Sequence, residues 1–126
     1  MLVVDASVVV AFLLKPDEVI GRLRDGGALH APAHLDVEVA SVVRRAVLSQ
    51  RLSPARGTAA MNDLATVPIR RWPLPPLMPR AWALRDNVSS YDAAYVALAE
   101  GLDCPLLTRD VRLAHPPGTG AVVEVI

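Results

Sequence analysis

The sequence predicts an α/β sandwich built on a mainly parallel sheet, and three observations carry that expectation. Short β-branched or leucine-rich runs alternate with helical stretches along the chain. From His34 to about Gln50, the residues Leu35, Val39, Val42, Val43 and Ala46 recur at three- and four-residue intervals, the stripe of a helix lying on a sheet. Two of the short runs stop abruptly at an acid, Leu2-Val3-Val4 at Asp5 and Leu106-Leu107-Thr108 at Arg109-Asp110. In parallel sheets the ligand site lies beyond the carboxyl ends of the strands.

In chain order, Leu2 to Val4 reads as a strand, and Ser7 as the cap of a helix over Val8 to Leu14. Asp17 to Arg24 forms a second helix, ended by Gly26-Gly27 before a strand over Ala28 to Ala31. Pro32 opens the long striped helix, and Ser53-Pro54, a cap followed by proline in the first turn, opens another towards Val67. A strand over Ile69 to Trp72 precedes the proline-rich connection Pro73 to Pro79 and a helix around Ala81 to Asp86. Ser89 or Ser90 caps a helix from Asp92 to Glu100, closed by Gly101. Pro105 to Thr108 is a strand, Asp110 to Ala114 a helical turn, and Ala121 to Ile126 the last strand.

A chain of 126 residues holds one domain, 1–126, with one core, and 52% hydrophobic residues exclude a disordered chain. The longest apolar stretch, Leu2 to Leu14, is interrupted by Asp5 and is too short to span a bilayer. It has neither a basic leader nor a small-residue cleavage site, so a cytoplasmic protein with no membrane contact is expected. Thirteen basic residues balance thirteen acidic ones, and any nucleic-acid contact must therefore come from a local patch. Cys104, the only cysteine, can form neither an internal disulfide nor a zinc cage.

Asp5 and Asp110 converge at one rim of the expected sheet, where helices can also deliver Glu38 and Asp92. Asp92 follows the cap serines, a position that the helix dipole favours for a carboxylate in any case. On the helical wheel Glu38 and Asp36 flank opposite edges of the apolar stripe, and the wheel does not choose between them. Carboxylates 6 Å apart repel by about 3 kcal/mol per pair at an effective dielectric of 20, so such a group needs a counter-charge. An all-oxygen set suits Mg²⁺ or Mn²⁺, and the corresponding chemistry is metal-assisted phosphodiester hydrolysis.

Four runs in order carry a family resemblance: Leu2-Val3-Val4-Asp5-Ala6-Ser7, Ala31-Pro32-Ala33 with Glu38-Val39, Tyr91-Asp92-Ala93-Ala94-Tyr95-Val96-Ala97-Leu98-Ala99-Glu100, and Leu106-Leu107-Thr108-Arg109-Asp110. Together they resemble the PIN-domain ribonucleases, and more narrowly the VapC toxins of toxin–antitoxin pairs. The resemblance implies a PIN-like three-layer α/β/α sandwich whose acidic quartet, Asp5, Glu38, Asp92 and Asp110, binds Mg²⁺ or Mn²⁺ and cuts RNA. It selects Glu38 over Asp36. It makes Ser7 and Thr108 supporting hydroxyls that orient carboxylates or water. It also implies a homodimer and a VapB-type antitoxin partner. Where some relatives carry a further acid or amide after the last aspartate, Val111 and Arg112 follow here, which removes that support for a second ion.

Competing readings are weaker. Receiver domains and aspartyl phosphatases need a late lysine, and the only lysine is Lys15; no run fits a dinucleotide or P-loop motif. His34 and Glu38 have zinc-like spacing but no second histidine, so His34 reads as a helix-start residue. Trp72, Trp82, Tyr91 and Tyr95 read as core or interface, and Arg44-Arg45 and Arg70-Arg71 as solvated charge. A PIN-like binding module that does not cut is the remaining alternative.

Overall fold

A computed structural model describes residues 1–126. All five expected strands form: β1 (Leu2–Val4), β2 (Leu29–Pro32), β3 (Ile69–Trp72), β4 (Leu106–Thr108) and β5 (Val123–Val125). They make one sheet in the order β3-β2-β1-β4-β5, and every pairing is parallel. The central strand β1 and its neighbour β4 are buried along their whole length, which is why they read as unbroken apolar runs rather than as alternating patterns.

Six α-helices connect the strands: α1 (Ala6–Leu14), α2 (Ile20–Asp25), α3 (Leu35–Leu48), α4 (Pro54–Leu64), α5 (Met78–Ala83) and α6 (Ser90–Leu102). From β1 to β3 the chain steps one way across the sheet, and it then returns through α5 and α6 to β4 on the far side of β1. Right-handed crossovers running in opposite directions place their helices on opposite faces. Accordingly α1, α3 and α4 touch one another in one layer, while α5 packs on α6 and α6 on β1, β2 and β4. The strand order reverses between β1 and β4, so the crevice favoured for ligands opens beside Asp5 and Asp110.

The core joins Leu2, Val3, Val4, Leu106 and Leu107 of the sheet to Val8, Leu35, Val39 and Val43 on one side and Tyr95, Val96 and Leu98 on the other. Seven consecutive residues of α6, Ala93 to Ala99, are buried, so this helix is enclosed all round; its alanines allow the close approach. Gly26, at the end of α2, is needed for a similar reason, because a Cβ there would sit 1.9 Å from Leu2 Cδ1.

Several boundaries differ from expectation. The cap of α1 is Asp5 and not Ser7: Asp5 is extended, its Oδ1 accepts the Val8 N–H at 3.1 Å, and the helix begins at Ala6 with no intervening turn. Pro32 ends β2 instead of opening α3, where it pairs with Trp72 of β3 and its missing N–H is not needed by β1. α4 stops at Leu64, and the Thr66 hydroxyl bonds the Asp63 carbonyl just beyond it. α5 starts at Met78, which puts Pro79 in its first turn. α6 runs through Gly101 and is closed by Asp103 in the left-handed conformation, φ 49°.

Candidate active site

The four acids expected at the site come from four different elements at the carboxyl edge of the sheet. Asp5 is 7% exposed. Besides capping α1, its Oδ1 accepts the Ser7 hydroxyl at 2.5 Å. Burial pushes the Asp5 carboxyl up, against the Ser7 and Thr108 hydroxyls, and the nearby Asp92 charge pushes it further. Ser7 Oγ in turn accepts the Arg109 N–H at 2.8 Å, while the fully buried Thr108 Oγ1 accepts the Asp110 N–H at 3.0 Å. The Ser7 hydroxyl thus ties the end of β4 to the end of β1, while Thr108 shapes the turn into Asp110.

Glu38 lies in the first turn of α3, opposite the first turn of α6. Tyr95 donates its hydroxyl to Glu38 Oε1 at 2.7 Å, and His34 Nε2 lies 3.1 Å from the same oxygen. Nε2 is also 3.1 Å from the Tyr91 carbonyl; both neighbours are acceptors, so this nitrogen donates. Burial pushes the Glu38 carboxyl up, but the His34 and Tyr95 hydrogen bonds outweigh it and hold the group below its ordinary value. Tyr95 is pushed far up by burial and by its bond to Glu38, so its hydroxyl stays a donor. With both donors on Oε1, Glu38 Oε2 is left for another partner.

Asp92 occupies the first turn of α6, and its N–H is capped by Ser89 Oγ at 3.2 Å. Burial raises its carboxyl, and the charges of Glu38 and Asp110 raise it further. Asp110 is held low by Arg112, which donates to both of its oxygens. Asp36, the competing acid on α3, is engaged by Arg71 of β3 at 3.0 and 2.8 Å. Asp92 is thus within reach of the Glu38 and Asp110 charges, and Asp5 of the Asp92 charge, whereas Asp36 is paired with Arg71. No three His, Cys, Asp or Glu side chains close into a metal-sized cluster; Glu38 Oε1 and both oxygens of Asp110 are turned to protein donors.

Three contributors were not assigned to the site from sequence. The sequence places Tyr95 in the core or an interface; its ring is in the core, and the phenol of a buried tyrosine needs a partner and finds Glu38. His34 and Arg112 reach their acids from four and two residues away along the chain. Two open clefts flank the acids. One, of about 380 Å³, is walled by Ser89, Asp92, Asp110 and Arg112; the other, of about 340 Å³, by Glu38, Ser41, Arg45 and Tyr91.

The PIN domain family model matches residues 2–118, which include all four acids. The chain belongs to the PIN-domain family. Within that family it is 45% identical to ribonuclease VapC12 of Mycobacterium tuberculosis, over all of this chain and 99% of that protein. It is 43% identical to ribonuclease VapC9 of the same species, over all of this chain and 98% of that one. Among solved structures, VapBC2 from Rickettsia felis, bound to a DNA fragment from its promoter, superposes with a TM-score of 0.71 at 12% identity. That match covers 98% of this chain and 97% of the other. The fold of this PIN domain is thus the expected one, with the sheet wholly rather than mainly parallel, and none of its helices is long and apolar enough to cross a membrane.

Proposed function

We propose that this PIN domain is a metal-dependent endoribonuclease and the toxin of a toxin–antitoxin pair. In this reading Asp5, Glu38, Asp92 and Asp110 hold Mg²⁺ or Mn²⁺ and RNA phosphodiester bonds are hydrolysed beside them. The observation that carries it is the convergence of four carboxylates at the carboxyl edge of a parallel sheet: Asp5 directly after β1, Asp110 just after β4, and Glu38 and Asp92 in the first turns of α3 and α6. The donor set fits a hard divalent cation, being all oxygen, with Glu38 Oε2 free of protein donors. When bound, such an ion polarises a water and offsets the charge that develops on the phosphate oxygens. The chain's own part is orientation. Ser7 and Thr108 hold Asp5, Tyr95 and His34 hold Glu38, and Ser89 holds the helix turn that carries Asp92.

The ribonuclease names of the 45% and 43% identical relatives support the activity, and the VapBC name of the Rickettsia felis structure supports a VapB-type antitoxin as partner. A single domain over 1–126, a homodimer and a cytoplasmic location belong to the same reading. One observation favours the non-cutting module instead, namely that Asp110 is wholly engaged by Arg112.

The deciding experiment incubates the purified chain with structured RNAs in Mg²⁺ or Mn²⁺, with EDTA and Asp5→Asn as controls. Cleavage that EDTA abolishes, added ion restores and Asp5→Asn lacks is the expected result. Cutting that persists in EDTA, or in Asp5→Asn, removes the metal-nuclease reading; no cutting under any condition favours the binding module.

A further inference from the structure

Resting on the nuclease reading, we infer that the cleft beside Glu38 takes one nucleotide of single-stranded RNA next to the cut, its base against Tyr91 and its phosphate at Arg45. Glu38 itself forms part of the wall, together with Val37, Ser41, Arg45 and Tyr91, so the cleft is continuous with the acidic group. The second cleft opens on the other side, at Asp92 and Asp110. An RNA strand with a phosphate at the acids therefore has a neighbouring nucleotide in each.

Tyr91 is 66% exposed although it adjoins Asp92 in the first turn of the most buried helix. Its backbone is anchored beside His34. Its carbonyl accepts His34 Nε2 at 3.1 Å, and the two rings lie 6.2 Å apart at 44°. The ring also borders a smaller depression with His34, Leu74, Met78 and Ala94, so it stands as a ridge with space on both sides. An exposed, pre-placed aromatic ring beside a phosphodiester site is a stacking platform, and stacking accepts unpaired bases and not those inside a duplex.

The charge pattern points the same way. Arg45 follows Glu38 by seven residues, two turns along the same face of α3, about 10 Å up the helix axis. Like several other arginines it is exposed and in no ion pair, and it is the arginine that lines the cleft beside Glu38. A free guanidinium with the Ser41 hydroxyl and an aromatic face suits a phosphate and a base; an apolar protein segment would leave Arg45 and Glu38 without partners.

The test uses Asp5→Asn as the parent, so that RNA is bound without being cut, and follows the anisotropy of a labelled twelve-nucleotide single-stranded RNA across a salt series. Tyr91→Ala is expected to weaken binding by about 5- to 50-fold while Tyr91→Phe changes it little. Arg45→Ala should weaken binding and reduce the salt slope by about 0.7, the value for one phosphate contact on a single strand. Circular dichroism and melting temperature should not move, since both side chains are exposed. If the variants bind RNA like the parent, and cut like wild type when Asp5 is restored, the subsite is wrong while the nuclease reading stands. Unchanged RNA affinity with loss of a co-purifying antitoxin would make this a protein-binding face. A wild type that neither binds nor cuts RNA overturns both readings together.

Discussion

Arg112 closes on Asp110 from two residues along the chain, its Nε donating to Oδ1 at 3.0 Å and its Nη2 to Oδ2 at 2.9 Å. The guanidinium also lowers the neighbouring Asp92 carboxyl, so it offsets part of the repulsion among the acids. A divalent ion at this site has to take Asp110 from it. Because the arginine is largely exposed, the pair is weak and the exchange is easy. Arg112→Gln is therefore expected to bind Mn²⁺ about two- to fivefold more tightly than wild type by calorimetry or electron paramagnetic resonance. Unchanged or weaker binding would show that Arg112 does not compete for Asp110.

Asp5 has two duties that substitution can separate. Its Oδ1 caps α1 through the Val8 N–H, and its charge belongs to the acidic group. Asparagine is as good a cap as aspartate but carries no charge, whereas alanine supplies neither. Both Asp5→Asn and Asp5→Ala should abolish cleavage, but only the alanine variant should lose about 1 kcal/mol of stability in urea unfolding. Equal stability losses would mean that the cap contributes little.

Most of this arrangement was legible because it depends on short-range pattern. β1 and β4 are apolar runs that end at acids, and in a parallel sheet such ends share the ligand-binding edge, whereas the strand order itself came only from the structure. What was not legible depends on backbone angles or on distant partners. Asp5 and Ser7 are both good caps, and only the extended conformation of Asp5 decides between them. Asp103 displaces Gly101 at the end of α6 because aspartate, though not glycine, adopts a positive φ there. Glu38 and Asp36 are separated by their partners, Tyr95 lying 57 residues away and Arg71 35 residues away, beyond the reach of a helical wheel.

Tyr95→Phe tests whether Glu38 needs to be held. The ring is 1% exposed and phenylalanine fills its place, while the 2.7 Å bond to Glu38 Oε1 is lost and His34 remains. We expect the RNA cleavage rate to fall by about tenfold, since a hydrogen bond to a charged group contributes about 1.5–3 kcal/mol, part of which His34 retains. Mn²⁺ affinity should weaken as well. The double variant Tyr95→Phe/His34→Ala should lose more than either single change; activity equal to wild type in the double variant would show that Glu38 requires no positioning.

Asp92 gives a prediction in which the sign is decisive. Its carboxyl is raised in the folded chain, by burial first and then by Glu38 and Asp110. The folded state therefore binds this proton more tightly than the unfolded chain does, and the charged form is a liability at neutral pH. That liability shrinks as pH falls through the raised value and is gone below the ordinary carboxylate range near pH 4. Asp92→Asn removes it. In EDTA at pH 7.5 the variant should melt about 2–5 °C above wild type, and the gap should close towards pH 4. Buried His30, whose imidazole is held low by burial and by Arg70, pulls stability the other way on acidification, but it is present in both proteins and cancels in the difference. If the carboxylate serves mainly the dipole of α6, its loss lowers the melting temperature at pH 7.5 instead. Scanning fluorimetry of both proteins at pH 4, 5.5 and 7.5, beside an RNA cleavage assay in which the variant should be inactive, separates the two roles.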